Sequence, residues 1–142
     1  MTRPLIAQNT DLHVGFDRDD PDEFNLRRLR ATLATLGAMT PKPDLLLATG
    51  DLVENGDDGV SYQRLKQVMA MAPCPVLYAM GNHDSREAFR SLFPDTPTAD
   101  GFVHYAVDGH ALRILVLDTL EVGRHGGGFC ETRAAWLAAR LD

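Results

Sequence analysis

The chain has 142 residues, of which 44% are hydrophobic and 24% charged, and its formal net charge is −6. This length suits one domain burying roughly two-thirds of its unfolded surface, and the acidic balance argues against a nucleic acid polymer as partner. Two cysteines, no signal-peptide pattern and no apolar run of the ~20 residues that span a membrane predict a cytoplasmic protein without membrane contacts.

Apolar runs alternate with helical patterns along the chain. The first three predicted strands lie at 4–8, 44–50 and 75–81, and a helix follows each of them. The first helix is capped by Asp20 and reaches Leu36, the second is marked by Val60 to Met69, and the third runs from Ser85 to Phe93. A hairpin over 102–119 follows, turned at Asp108-Gly109 and with its second arm the more buried, and a helix over 131–142 ends the series.

This order of elements is typical of an α/β architecture with a largely parallel sheet flanked by helices. The run at 44–50 is apolar throughout, as expected for a parallel strand that is covered on both faces. No linker or low-complexity segment divides the chain, so we expect a single domain over 1–142. The glycine-rich run at 125–129 is interpreted as a surface loop rather than a phosphate cradle, because no helix starts after it at the right spacing.

Polar side chains follow each of the three predicted parallel strands. Asp11 and His13 follow the first strand, Asp51 follows the second, and Asn82 and His83 follow the third. Taken singly, such residues are helix caps, turn residues or solvated pairs. The carboxyl ends of parallel strands share one edge of the sheet, however, so five such groups predict a common metal site there. Carboxylate, imidazole and amide donors together suit Mn, Fe, Co or Zn.

These residues form three blocks that resemble the signature blocks of the calcineurin-like metallophosphoesterases. The blocks are Asp11-x-His13, Gly50-Asp51 with Asn55 beyond it, and Gly81-Asn82-His83-Asp84, separated by about forty and about thirty residues. Asp-Leu-His, Gly-Asp-Leu-Val, Tyr62 and the Leu-Asp-Thr run most resemble the bacterial class III cyclic nucleotide phosphodiesterase and glycerophosphodiesterase branch. The resemblance implies the first half of a four-layer α/β/β/α sandwich and metal-dependent hydrolysis of a small phosphoester.

The resemblance also assigns roles to individual residues. It implies two divalent metal ions, drawn from Mn, Fe, Zn and Co, with Asp51 as the bridge between them. Asp11 and His13 then belong to one ion and Asn82 to the other. In such a site the paired ions neutralise the phosphate and activate a shared water for in-line attack.

The Gly-Asn-His-Asp turn carries the catalytic residues that the resemblance implies. His83 is not a ligand in this reading but is aimed at the phosphate and the leaving group, and Asp84 is positioned to orient it. Members of the family normally continue with a histidine-bearing strand and a Gly-His-x-His block, which supply three further ligands. The three remaining histidines are not expected to replace these ligands, because they lie in a hairpin strand, a turn and a glycine-rich loop: His104, His110 and His125.

We therefore expect the N-terminal part of a C-terminally truncated phosphodiesterase, with little activity from the 142-residue chain alone. A missing C-terminal half or a second copy in a homo-oligomer is expected to cover the exposed sheet edge. The alternative is a non-catalytic module that retains only partial metal or phosphate binding. Asn9 stands where the family has an apolar residue, and an amide buried at that strand end is expected to alter the site entrance.

Overall fold

A three-stranded parallel sheet lies at the centre of this computed structural model, which describes residues 3–109 and 112–141. The strands are β1 (Ile6–Asn9), β2 (Leu45–Thr49), β3 (Val76–Ala79), β4 (Tyr105–Val107) and β5 (Ile114–Val116). The helices are α1 (Phe24–Ala38), α2 (Gly59–Met69), α3 (Arg86–Leu92) and α4 (Glu131–Leu141). The predicted α/β class and the predicted order of elements are confirmed.

The register of the sheet brings the carboxyl ends of its strands together. The strand order is β1-β2-β3, and both pairings are parallel. Asn9 lies opposite Ala48, and Thr49 lies opposite Ala79. The residues that follow each strand therefore emerge side by side at one edge of the sheet.

Helices α1 and α2 cover the sheet with leucine-rich faces. Leu26, Leu29 and Leu33 of α1 are buried, as are Tyr62 and Leu65 of α2. Each fully buried side chain of this size contributes about 1.5–3 kcal/mol, so these contacts fix the helices against the strands. Among the described residues, no helix combines the length and the apolar character needed to cross a membrane.

The start of α1 differs from the prediction. Glu23 rather than Asp20 is the N-cap, and its carboxylate accepts the N–H of Asn25 at 3.1 Å. The same buried carboxylate accepts the N–H of Gly15 at 3.0 Å, which ties the helix start to the loop after β1. Asp20 instead accepts the N–H of Asp22, one turn earlier. The helix predicted from Ser85 to Phe93 is α3, with these two residues as its N-cap and C-cap.

The predicted hairpin is confirmed as the antiparallel pair β4–β5, although its arms are equally buried. Each arm contributes one buried residue, Tyr105 and Val116, because both arms touch the same core. The hydroxyl of Tyr105 accepts the N–H of Tyr78 at 2.9 Å and donates to the carbonyl of Tyr78 at 2.8 Å. This side chain therefore covers part of the β3 edge that was expected to be bare.

Candidate metal centre

The chain beyond β1 continues alongside the chain beyond β2, and this pairing builds the candidate centre. The N–H of Asp11 donates to the carbonyl of Gly50 at 3.2 Å, and the N–H of His13 donates to the carbonyl of Asp51 at 2.9 Å. Val14 then pairs with the Leu52–Val53 segment. As a result, the side chains at positions 11, 13 and 51 converge at the sheet edge.

The three converging side chains have the spacing that one metal ion requires. Nε2 of His13 lies 3.9 Å from Oδ1 of Asp11 and 3.8 Å from Oδ2 of Asp51. Ligand atoms that each lie about 2.0–2.2 Å from a common ion can be no more than about 4.4 Å apart. Both carboxylates lie within this limit of His13 Nε2, and the three donor atoms together lie within 4.8 Å of one another. Two carboxylates and an imidazole are donors that suit a divalent transition metal.

The backbone at these three positions adopts a conformation that non-glycine residues rarely take. The φ angles are 54° at Asp11, 45° at His13 and 45° at Asp51, all in the left-handed region. The hydrogen bonds to Gly50 and Asp51 hold this geometry. Strain of this kind concentrates at functional sites, and here it turns the donor groups toward one another.

Close packing of the third strand's turn fixes Asp51 from the other side. A Cβ atom added at Gly81 would lie 2.2 Å from both the backbone nitrogen and Oδ1 of Asp51, so this position tolerates only glycine. The N–H of His83 donates to Oδ1 of Asp51 at 3.0 Å. The Gly-Asn-His-Asp turn is thus fitted directly against the candidate bridging carboxylate.

The His83 ring is held by a main-chain carbonyl. Its Nδ1 lies 2.7 Å from the carbonyl oxygen of Glu54. This hydrogen bond raises the pKa of His83, burial opposes the rise, and the nearby Asp51 carboxylate adds to it. The His13 and His83 rings meet edge to face, with their centroids 4.8 Å apart.

The geometry corrects the role expected of Asp84. Its buried carboxylate accepts N–H groups of Gly81 at 2.8 Å, Leu52 at 3.0 Å and Val53 at 3.3 Å, and the Tyr62 hydroxyl at 3.2 Å. Within residues 3–109 and 112–141 the carboxylate has no hydrogen bond to the His83 ring. Burial raises the pKa of Asp84 to about 6, against the lowering effect of these four donors. Asp84 therefore joins the turns after β2 and β3, while Glu54 holds the imidazole.

Asn82 is exposed at the tip of the turn and adjoins the glycine-rich loop. Its Nδ2 lies 3.5 Å from Nδ1 of His125, a distance at the limit of a hydrogen bond. A cavity of about 310 Å³ is lined by Asn82, His83, Gly123, Arg124 and His125. A second cavity, of about 390 Å³, is also lined by Asn82, His83 and Gly123. A larger cavity of about 620 Å³ lies along α3 and includes none of the candidate ligands.

The sequence also raised expectations for two further histidines and for the amide at the end of β1. His104 is fully buried, and its ring stacks on that of Trp136 with the ring centroids 4.3 Å apart. It therefore packs against α4 and not in the candidate metal centre. His110 lies outside the described residues. Asn9 is partly rather than fully buried, and within the described residues its amide is not buried without a hydrogen-bond partner.

Glu54 is the site residue that the sequence patterns did not reveal. Its Oε2 lies 2.9 Å from Nδ1 of His13, and its N–H donates to the carbonyl of Val14 at 2.9 Å. A signal was present, since an acidic side chain follows Gly50-Asp51-Leu52-Val53 directly. To identify Glu54 from this signal, one would have to know that residues 11–14 pair with residues 50–54, and the pattern within a single strand does not reveal that pairing.

Comparison with known proteins identifies one matching family and several relatives of this chain. Residues 4–134 match the family model described as calcineurin-like phosphoesterase. The chain is 39% identical over 125 residues to a probable cyclic nucleotide phosphodiesterase of Rhodopseudomonas palustris, covering 86% of this chain and 44% of that protein. It is 31% identical to a glycerophosphodiester phosphodiesterase of Enterobacter lignolyticus, covering 78% and 41%. It is 30% identical to a cAMP/cGMP dual specificity phosphodiesterase of Mycobacterium tuberculosis, covering 96% and 42%. The chain spans about two-fifths of the length of these relatives.

Proposed function

Since the chain belongs to the calcineurin-like phosphoesterase family, we propose that it is the N-terminal part of a phosphodiesterase that hydrolyses a small phosphoester at a dinuclear metal centre. The observation that most supports this function is the convergence of Asp11, His13 and Asp51. Their donor atoms lie within 3.9 Å of His13 Nε2, at the edge of a parallel sheet where α/β proteins bind ligands.

Asp51 is proposed as the ligand shared by both ions. Asp11 and His13 complete one side of the site, and Asn82, on the neighbouring turn, serves the other. When bound, two ions of Mn, Fe, Zn or Co supply the positive charge that neutralises a phosphoester and activates water for attack. The left-handed backbone at Asp11, His13 and Asp51 keeps these donors aligned before any ion binds.

His83 is proposed as the catalytic residue that protonates the leaving oxygen. Its Nδ1 is engaged by the carbonyl of Glu54, which leaves Nε2 as the nitrogen free to act on a substrate. Asp84 supports this role indirectly, because its four hydrogen bonds fix the turn that carries His83. A positioned general acid of this kind contributes about 10²–10⁴-fold in rate.

A phosphodiester is the substrate class that best suits the surroundings of the centre. Cavities of about 390 Å³ and about 310 Å³ both have Asn82 and His83 in their linings, which leaves room beside the centre for the two ester substituents of a diester. Cyclic nucleotides and glycerophosphodiesters, the substrates in the relatives' names, both belong to this class.

The domain organisation and the cellular compartment of the chain are also proposed. We propose that residues 1–142 form one domain that a C-terminal portion or a second copy completes, which agrees with the greater length of the relatives. Cys74 and Cys130 are both free thiols, as expected for a reducing cytoplasmic compartment.

A non-catalytic module that binds one ion or a phosphate is the second candidate, and the donor count favours it. Among the described residues, the second ion has only the shared Asp51 and Asn82 as proposed ligands, fewer than the three that catalytic zinc sites use. Such a module would hold metal without turning over phosphoesters.

Turnover of bis(p-nitrophenyl) phosphate separates the two candidates when it is measured on the metal-loaded protein together with the portion that is proposed to complete the domain. The proposed enzyme gives turnover that a chelator abolishes and that Mn²⁺ or Zn²⁺ restores. Cyclic AMP and glycerophosphoethanolamine, assayed in parallel, then rank the two diester classes. Full metal occupancy with no turnover of any of these substrates would contradict the enzyme and support the module.

A further inference from the structure

Glu54 lies between the two histidines of the centre and touches both. Its carboxylate Oε2 is 2.9 Å from Nδ1 of His13, and its carbonyl oxygen is 2.7 Å from Nδ1 of His83. We propose that Glu54 is a positioning residue that fixes the tautomer and the orientation of both imidazoles. This inference rests on the proposed function, because it concerns the same metal centre.

The contact with His83 determines where that ring carries its proton. A carbonyl oxygen can only accept a hydrogen bond, so Nδ1 of His83 is the protonated nitrogen. Nε2 is then directed away from Glu54 toward the cleft. Because the acceptor is a main-chain atom, held in turn by the N–H of Glu54 on the carbonyl of Val14, this arrangement does not depend on the side chain at position 54.

The contact with His13 depends entirely on the Glu54 side chain. Nδ1 of His13 is buried and has no partner among the described residues that meets the geometry of a hydrogen bond, although Oε2 of Glu54 lies 2.9 Å from it. An acceptor oxygen at 2.9 Å still favours the proton on Nδ1, because an unprotonated nitrogen there would set two lone pairs against each other. Nε2 is thereby left unprotonated, facing Asp11 and Asp51. A carboxylate on the far nitrogen of a metal-binding histidine commonly fixes the ring and raises its basicity.

Direct coordination by Glu54 is the competing explanation. Donor atoms of His13, Glu54 and His83 lie within 4.8 Å of one another and could in principle surround an ion. If Nδ1 of His83 were the donor, it would have to give up the carbonyl of Glu54. His13 would also have to turn its Nδ1 to the ion, although its Nε2 already faces two carboxylates.

Two substitutions at position 54 distinguish positioning from coordination. Glu54→Ala removes the carboxylate, and Glu54→Gln keeps an oxygen that can accept from Nδ1 of His13. Glu131→Gln, at the exposed start of α4, is the matched control. Long-range ¹⁵N–¹H spectra of the metal-free protein near pH 8 report the tautomer of each histidine. Titration with Co²⁺ reports the affinity for the first ion, and circular dichroism checks the fold.

We expect Glu54→Ala to shift the nitrogen resonances of His13 away from the Nδ1–H form while those of His83 stay unchanged. The first ion should bind about 10–100-fold more weakly, the usual effect of losing such a partner. Glu54→Gln should recover most of this affinity, and Glu131→Gln should match the unsubstituted protein.

Unchanged His13 resonances in Glu54→Ala would overturn the inference, as would unchanged Co²⁺ affinity. Equal loss of affinity in the Ala and Gln variants would also overturn it, because it would make Glu54 a ligand. Failure of the unsubstituted protein to bind Co²⁺ would count against the proposed function instead. The tautomer measurement needs no metal, so in that case it would still decide the role of Glu54.

Discussion

The main-chain N–H of His83 donates to Oδ1 of Asp51 at 3.0 Å, so the proposed catalytic imidazole and the proposed bridging ligand are fixed to each other. The second oxygen of Asp51, Oδ2, faces Nε2 of His13 at 3.8 Å. One carboxylate therefore joins the turn after β3 to the ligands that follow β1. A substitution at either end of this connection should therefore alter both the affinity for metal and the position of the His83 ring.

Substitution of Asp51 should remove metal binding and activity together. Asp51→Ala deletes the donor shared by both proposed ions and the acceptor of the His83 N–H, so turnover should fall by at least ~10³, the scale of a major electrostatic group. Metal content by mass spectrometry and turnover of a nitrophenyl diester provide the check. Asp95→Ala, an exposed carboxylate after α3, is the control. Full metal occupancy with near-normal turnover in Asp51→Ala would refute the bridge.

Substitution of His83 should separate catalysis from metal binding. His83→Ala should keep its metal while turnover falls by roughly 10²–10⁴, because a positioned acid is lost but no proposed ligand. The deficit should be smaller for substrates with a nitrophenol leaving group, which needs less protonation. The measurement is kcat for substrates of graded leaving-group pKa, beside the metal content. Loss of both ions would identify His83 as a ligand instead.

Gly81 offers a test of the site's packing without replacing any proposed ligand. The Cβ of Gly81→Ala would lie 2.2 Å from Asp51 Oδ1, so the carboxylate must move and the affinity for the first ion should fall at least about tenfold. Gly59→Ala is the matched control, because a Cβ there meets no atom within 4 Å. Isothermal titration with Mn²⁺ measures the difference. Equal affinities in the two variants would show that the approach of β3 to Asp51 does not shape the site.

The sequence patterns predicted the fold and the grouping of the candidate ligands at one sheet edge because both depend on local regularities. Apolar runs of strand length and the residues directly after them suffice to place Asp11, Asp51 and Asn82 at one edge. Hydrogen-bond partners were harder to predict. Asp84 bonds to Leu52 and Val53, and His83 to Glu54, across about thirty positions, and these partners follow from three-dimensional register rather than from any local pattern.

The same limit explains the two smaller corrections. Asp20 looked like the cap of α1, but Glu23 takes that position because its carboxylate also reaches Gly15, a contact that no helix pattern encodes. His125 lies in a loop whose path cannot be read from its glycines, and the structure brings it to 3.5 Å from Asn82.

His104 should make stability depend on pH. Burial lowers the pKa of His104, Asp118 and Asp100 oppose this, and Arg140 and Arg133 add to it. The folded state thus prefers the neutral ring, so its contribution to stability is complete above about pH 6.5 and is lost as the pH falls through the lower folded pKa.

Replacing this ring isolates the effect. His104→Phe keeps an aromatic ring against Trp136 and removes two buried ring nitrogens that have no hydrogen-bond partner in the described part of the chain. Urea unfolding of the metal-free protein at pH 5 and pH 8 should show a smaller pH dependence in this variant, with no loss of stability at pH 8. An unchanged pH dependence would mean that His104 does not titrate with folding.

An anomalous difference map from crystals grown with Mn²⁺ tests the central claim most directly. We predict a peak about 2.0–2.3 Å from Nε2 of His13 and from carboxylate oxygens of Asp11 and Asp51, and a second peak on the Asn82 side of Asp51. Manganese bound elsewhere, with no density between His13 and Asp51, would contradict the assignment of this edge as the metal centre.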